Sequence, residues 1–173
     1  MPLLLAVSVE AGDQKIKKPL ETVPSVDLEK YAGAWYEIAR IPNRFQNDCV
    51  ADVMAFYRLL DDGKIRVVNR CRNSDGKTDV AIGTARVIDG SSRAKLKVTF
   101  FWPFSGDYWI LDLGANYEYA VVGEPDRRYL WILSRSPQMD DSLYRQILDK
   151  IAAQGYDTKL LIKTEQPDSD NSR

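Results

Sequence analysis

A chain of 173 residues, 45% hydrophobic and 28% charged, has the balance of one globular domain built on a single core. Its 24 basic and 25 acidic residues are mixed along the chain and leave a net charge of −1, so the concentrated basic face that nucleic acid requires is missing. There is no histidine, which excludes Ser-His-Asp and Cys-His catalysis and leaves only two cysteines and carboxylates for a zinc site.

Residues Met1 to Val9 form a short apolar run followed by Glu10-Ala-Gly-Asp-Gln14. This reads either as the core and exit of a signal peptide that lacks its basic start, or as a plain flexible terminus. Glu10 to Pro24 is polar, lysine-rich and punctuated by proline, a loosely attached lead-in. Residues 1–24 are therefore expected to be a leader remnant or flexible segment, 25–166 the domain, and 167–173 a polar tail.

Asp27 to Tyr31 is expected to make one 3₁₀ turn. After Gly33, the stretch Trp35-Tyr-Glu-Ile-Ala-Arg-Ile41 alternates like a strand rich in β-formers. Pro42 to Asp48 is a loop with a buried-looking Phe45. Further strands are predicted at about 51–60, 65–71, 78–88, 95–102, 108–113, 117–123 and 129–135. The turns between them carry Asp61-Asp-Gly63, Asn73-Ser-Asp-Gly76, Asp89-Gly-Ser-Ser92, Pro103-Phe-Ser-Gly106 and Glu124-Pro-Asp-Arg127. Gly83 inside the fourth strand predicts a bend or a close backbone approach.

Eight short strands joined by hairpins predict an all-β fold, an antiparallel up-and-down barrel. An open sheet would leave two exposed edges that closure removes, and eight strands close around side chains or one small ligand. The period then changes. From Met139 to Ala153, Leu143, Ile147, Leu148 and Ile151 share one helical stripe, with Asp140 or Asp141 to cap the start and Gly155 to stop the end. This helix is expected to pack on the outside of the barrel, followed by a last strand over Thr158 to Thr164.

The combination resembles the lipocalin family, and within it the bacterial lipocalins and apolipoprotein-D-like members. Gly33-Ala-Trp35-Tyr-Glu-Ile is similar to the family's first-strand motif. Asn116-Tyr-Glu-Tyr-Ala-Val-Val122 resembles the motif before the seventh strand, with Asn where Asp is usual. Tyr129-Leu-Trp-Ile-Leu-Ser-Arg135 is similar to the eighth-strand motif. The resemblance implies a signature of Gly33, Trp35 and Arg135, with Arg135 lying across the Trp35 indole at the closed end as a cation–π lid.

If Trp35 faces inward, alternation turns Glu37 and Ala39 inward as well, and an inward Arg135 brings Leu133 and Trp131 with it. A buried Glu37 would have to receive a ligand head group or pair with a neighbouring Arg. By resemblance to apolipoprotein D, Tyr57, Phe100, Trp109 and Trp131 are pocket-lining positions, and Val98, on the same side of its strand as Phe100, joins them. Trp102-Pro-Phe104 and Phe45 would flank the open mouth as lids and rims, or meet a lipid surface or a second subunit.

Cys49 and Cys71 lie at the far ends of the second and third strands. Regular pairing across the Asp61-Gly63 hairpin puts Cys71 opposite Val53, four residues from Cys49, about 13 Å at ~3.4 Å per residue. A disulfide then requires a bulge or bend; two reduced thiols are the alternative.

The resemblance implies non-enzymatic carriage of a small hydrophobic ligand, of the fatty-acid or lysophospholipid class, without a cofactor or metal. It further implies work in the bacterial cell envelope, periplasmic or associated with the outer membrane, a cytoplasmic location being the alternative. Peripheral membrane contact and a homodimer are both open. The rival functions are an enzyme that uses a luminal Cys71 or carboxylate, and an interaction module that works through its loops.

Overall fold

The computed structural model describes residues 18–90 and 92–167, so the expectations for Met1 to Val9 and for most of the tail lie outside the described residues. A single helical turn, α1 (Leu28–Tyr31), precedes eight strands: β1 (Gly33–Arg40), β2 (Cys49–Leu59), β3 (Ile65–Asn73), β4 (Thr78–Val87), β5 (Lys95–Phe101), β6 (Phe104–Leu113), β7 (Tyr119–Gly123) and β8 (Leu130–Ser134). Each pairs antiparallel with the next, and β1 pairs with both β2 and β8, which closes the barrel. Closure follows from the meander, because it satisfies the backbone groups that two free edges would expose. Asp27 caps α1 by accepting from the amides of Glu29 and Lys30, and the Tyr31 amide reaches the Asp27 carbonyl, so the turn is α rather than the expected 3₁₀. At the β2–β3 hairpin Gly63 adopts φ +78°, the left-handed conformation that glycine reaches without a Cβ penalty.

Two apolar cores result, one inside the barrel and one outside it. The inner core gathers Val26, Leu28, Tyr31, Trp35, Tyr57, Val67, Leu96, Ile110, Val122 and Leu133. The outer one lies between the wall and α2 (Asp141–Ala153), where Ile147 and Ile151 press onto Leu111, Val121 and Ile132. Asp140 is the cap of α2, accepting from the amides of Ser142 and Leu143, and Gly155 follows its end at φ +87°.

The strand expected at Thr158 to Thr164 divides into a 3₁₀ turn, Thr158–Leu160, and a two-residue strand, β9 (Ile162–Lys163), paired with Ala39 and Arg40 of β1. β1 pairs with β2 only as far as Tyr36 and Met54. Beyond that point residues 162–166 fill the seam. The Thr164 amide donates to the Ile38 carbonyl, the Asp52 amide to Glu165, and Gln166 Nε2 to the carbonyls of Glu37 and Val53, 2.8 Å each. The lead-in is tied down over its described part. Leu20 is buried in the outer core, the Glu21 amide donates to Gln154 Oε1 at 2.9 Å, and the amides of Val23 and Val26 reach the carbonyls of Ile110 and Ser92.

Cys49 and Cys71 form a disulfide with Cα atoms 5.5 Å apart. Leu59 faces Ile65 as regular pairing requires, but register shifts on either side of Ala51 bring Cys49 opposite Asn73, and Asp52 takes φ +55° there. These bulges close the offset that unbroken pairing would leave.

Candidate ligand-binding site

The barrel is sealed at the end where β1 begins. Trp35 is fully buried and donates from Nε1 to the Tyr31 carbonyl at 2.8 Å. The Arg135 guanidinium lies over its ring, Cζ 3.7 Å from the centroid. Arg135 also donates to the carbonyls of Ala34, Lys30 and Ala32 at 2.8, 2.7 and 3.0 Å, so it stitches β1 to α1 as well as covering the indole. Such a half-buried cation–π contact contributes about 1 kcal/mol.

Directly inside this seal stand three tyrosines from three elements. Tyr31 (α1) and Tyr108 (β6) place their hydroxyl oxygens 2.6 Å apart, and the Tyr108 hydroxyl donates to that of Tyr57 (β2) at 3.0 Å. Burial pushes the Tyr57 hydroxyl up to about pKa 12, and it holds those of Tyr31 and Tyr108 well above the ordinary phenol. All three are therefore neutral at physiological pH. With Val67, Ala85 and Val98 they line a cavity of about 10 Å³, room for roughly one water. Phe100 lies against the lumen side of Gly83, where an added Cβ would stand 2.7 Å from the Thr99 carbonyl oxygen and 2.8 Å from Phe100 Cδ1, so the close backbone approach expected at this glycine is present, with an aromatic ring beside it. Asn69, paired with Ala55, follows Val67 towards the mouth, and its Oδ1 is buried without a partner among the described residues.

Towards the open end, Glu37 and Arg40 form a buried ion pair at 2.6 Å. Glu37 also accepts from Gln46 Nε2 at 2.7 Å and from the Thr164 hydroxyl, and Arg40 donates to the Cys49 carbonyl at 3.0 Å. Gln46 in turn accepts from Trp131 Nε1 at 2.8 Å and from Asn43 at 2.9 Å. Both Glu37 oxygens are engaged, which answers its burial through the neighbouring Arg rather than through a ligand head group.

Two of the expected lining residues stand on the other face of the wall. Ala39 belongs to the outer core beneath α2, because a bulge between Glu37 and Ala39 resets the alternation and gives the inward position to Arg40, opposite Trp131. Trp109 also packs outward, with Lys95 Nζ 4.4 Å from its ring centroid, and its neighbour Tyr108 faces the lumen with Leu96. Tyr57, Val98, Phe100, Trp131 and Glu37 lie on the luminal side. Phe45 is not buried. It is 65% exposed, with its ring 5.6 Å from that of Tyr129. Phe101, Trp102 and Phe104, at the β5–β6 tip, are 77 to 88% exposed and so form a projecting rim rather than a lid. Tyr31, Tyr108, Asn69 and Arg40 are luminal residues that the sequence patterns did not single out. Alternation could have offered Tyr108 in place of Trp109, but nothing local ranks one parity above the other.

The lipocalin-like domain matches residues 26–166. The chain belongs to the lipocalin family. Temperature-induced lipocalin-1 of Arabidopsis thaliana is 43% identical over 161 residues, covering 88% of this chain and 86% of the relative. Outer membrane lipoprotein Blc of Escherichia coli K12 is 40% identical over 148 residues, covering 85% and 83%. Apolipoprotein D of Mus musculus is 33% identical over 151 residues, covering 81% and 77%. Among solved structures, insecticyanin of the tobacco hornworm superposes with a TM-score of 0.68 at 23% identity over 86% of this chain and 85% of its own, which speaks for the fold. Lipocalins bind small hydrophobic ligands and are generally not enzymes. In this lipocalin the disulfide occupies the Cys71 sulfur, so the luminal thiol considered as a nucleophile does not exist while the bridge is intact.

Proposed function

We propose that this lipocalin carries a fatty-acid or lysophospholipid molecule with its hydrocarbon chain in the barrel lumen and its head group at the open mouth, without chemistry on it. The observation that carries this reading is a lumen sealed at one end by Trp35 and Arg135 and lined by Val67, Val98, Phe100 and Trp131, with the Glu37 carboxylate already paired to Arg40. Apolar area and a few fixed polar groups are what such a ligand requires. Work in the bacterial envelope fits the disulfide, which persists in oxidising compartments, and the outer-membrane-lipoprotein relatives. The exposed Phe101, Trp102 and Phe104 favour delivery at a membrane surface, with a second copy of the chain as the other occupant of that rim.

The test is a fluorescence titration of delipidated protein with dodecanoate and with a lysophospholipid, in a Trp102→Phe/Trp109→Phe background that silences the rim and outer-face indoles. Saturable one-to-one quenching that disappears with Trp131→Ala supports the reading. Absence of binding by both lipids refutes it.

A further inference from the structure

The hydroxyls of Tyr31, Tyr108 and Tyr57 carry three protons and share two hydrogen bonds. A linear chain of hydroxyls always leaves one proton over. Because Tyr108 donates to Tyr57, Tyr31 must donate to Tyr108, and the proton without an acceptor in the chain belongs to Tyr57. Tyr57 lines the small cavity above the seal, so the spare donor sits at the closed end of the lumen, where the tail of a ligand entering from the mouth would arrive. A second unmatched polar group stands one layer nearer the mouth. Asn69 Oδ1 is buried without a partner among the described residues, and half a turn of its amide would present N–H donors in its place.

Three kinds of ligand tail meet this arrangement differently. A hydrocarbon tail leaves the Tyr57 proton unmatched, which is unfavourable for a buried donor. An ionised carboxylate would give up its hydration for a single hydroxyl donor, with Arg135 committed to backbone carbonyls outside the Trp35 plug. A neutral carbonyl or hydroxyl oxygen accepts the proton and brings no charge.

We propose that the Tyr31–Tyr108–Tyr57 chain, flanked by Asn69, is a polar seat at the bottom of the lumen for a neutral oxygen on the ligand's tail, so that the acyl chains best suited to this lipocalin are oxo- or hydroxy-substituted near the end remote from the head group. This rests on the lumen being the ligand site. It assigns the tyrosines a part in selecting the ligand besides packing above the seal.

The experiment compares three twelve-carbon acids with the same head group: dodecanoate, 11-oxododecanoate and dodecanedioate. The expected order is the oxo chain about fivefold tighter than dodecanoate, as one net hydrogen bond gives, and the dicarboxylate weakest. With the oxo carbon isotopically labelled, the infrared carbonyl band of the bound ligand should lie below its position in hydrocarbon solvent. In Tyr57→Phe the spare proton passes to Tyr108, whose oxygen stands 3.0 Å away; the band should move back and the preference should fall towards parity. The wild-type series decides the matter even if that variant folds poorly. Dodecanoate binding as tightly as, or more tightly than, the oxo chain overturns the seat and leaves the carrier reading standing. If none of the three acids binds and a lysophospholipid does not bind either, the carrier reading falls and the seat falls with it.

Discussion

The two ends of the lumen solve the same problem, polar groups held out of water, in opposite ways. At the mouth, Glu37 and Arg40 carry full charges, and every oxygen of the carboxylate is met by Arg40, Gln46 or Thr164. At the bottom, Tyr31, Tyr108 and Tyr57 carry no charge, and their chain is one acceptor short. A saturated network fixes structure. Here it holds the β1–β2 loop, β8 and the C-terminal segment around the opening. An unsaturated one retains the capacity to bind. The difference separates the part of the lumen that shapes the barrel from the part that can choose among ligands.

The largest effect should come from breaking the charged end. Glu37→Leu strands the buried Arg40 guanidinium and is expected to destabilise the fold by about 3–5 kcal/mol in urea unfolding. The double variant Glu37→Leu/Arg40→Met should recover most of that loss, since an apolar pair of similar volume replaces the charges. A single variant as stable as wild type would show that the pair is not sealed from water.

Reduction of the Cys49–Cys71 bridge comes next. With the two residues 22 apart in sequence, the released loop is slightly longer than one whose closure contributes about 3 kcal/mol, and the melting temperature should fall accordingly in reductant. An unchanged melting temperature would mean that β2 and β3 hold their bulged register without it.

The uncharged end should respond less to mutation and more to pH. Tyr108→Phe removes the middle link and leaves two hydroxyls unmatched, at a cost of about 1–3 kcal/mol. The Tyr57 hydroxyl is pushed up to about 12 by burial, against about 10 in an unfolded chain. The folded state therefore holds this proton more tightly than the unfolded state. The stabilisation is complete below pH 10 and is lost as pH climbs from 10 to 12. An ultraviolet titration of phenolate should show the buried tyrosines ionising late, together with loss of the fold. Ionisation of every tyrosine near pH 10 with the fold intact would contradict the burial of the triad.

The smallest effect on stability belongs to the rim. Trp102→Ala, at a position 88% exposed, should alter unfolding free energy by no more than about 0.5 kcal/mol. It should nonetheless weaken sedimentation with anionic phospholipid vesicles. Retention on vesicles after this change would assign the rim to contacts other than membrane.

What the sequence disclosed was whatever local chemistry decides. Gly63 in its turn, Asp140 as one of the two candidates for its cap and the Ile147–Ile151 stripe are each set by neighbours in the chain, and the Trp35–Arg135 pairing, between residues far apart, is what the family resemblance implied; all stand where they were expected. Residues past a bulge were not legible. The interruption between Glu37 and Ala39 moves Ala39 under the helix and brings in Arg40, and no residue type announces it. Likeness to an apolipoprotein D position puts Trp109 in the lumen, and the pairing of β5 with β6 shows instead that its neighbour Tyr108, opposite Leu96, is the inward one. The seam filled by Thr164 and Gln166 depends on contacts over more than a hundred residues. The tyrosine chain could not be foreseen either, because its hydroxyls arrive from α1, β2 and β6.

The most direct test of the central claim is the location of a bound ligand. Isotope-labelled, delipidated protein titrated with dodecanoate should show chemical-shift changes and ligand contacts at Val67, Val98, Phe100 and Trp131, the side chains that face the lumen. Changes confined to Phe101, Trp102 and Phe104, with the luminal residues unmoved, would contradict it and make the rim, rather than the barrel, the place where this protein meets lipid.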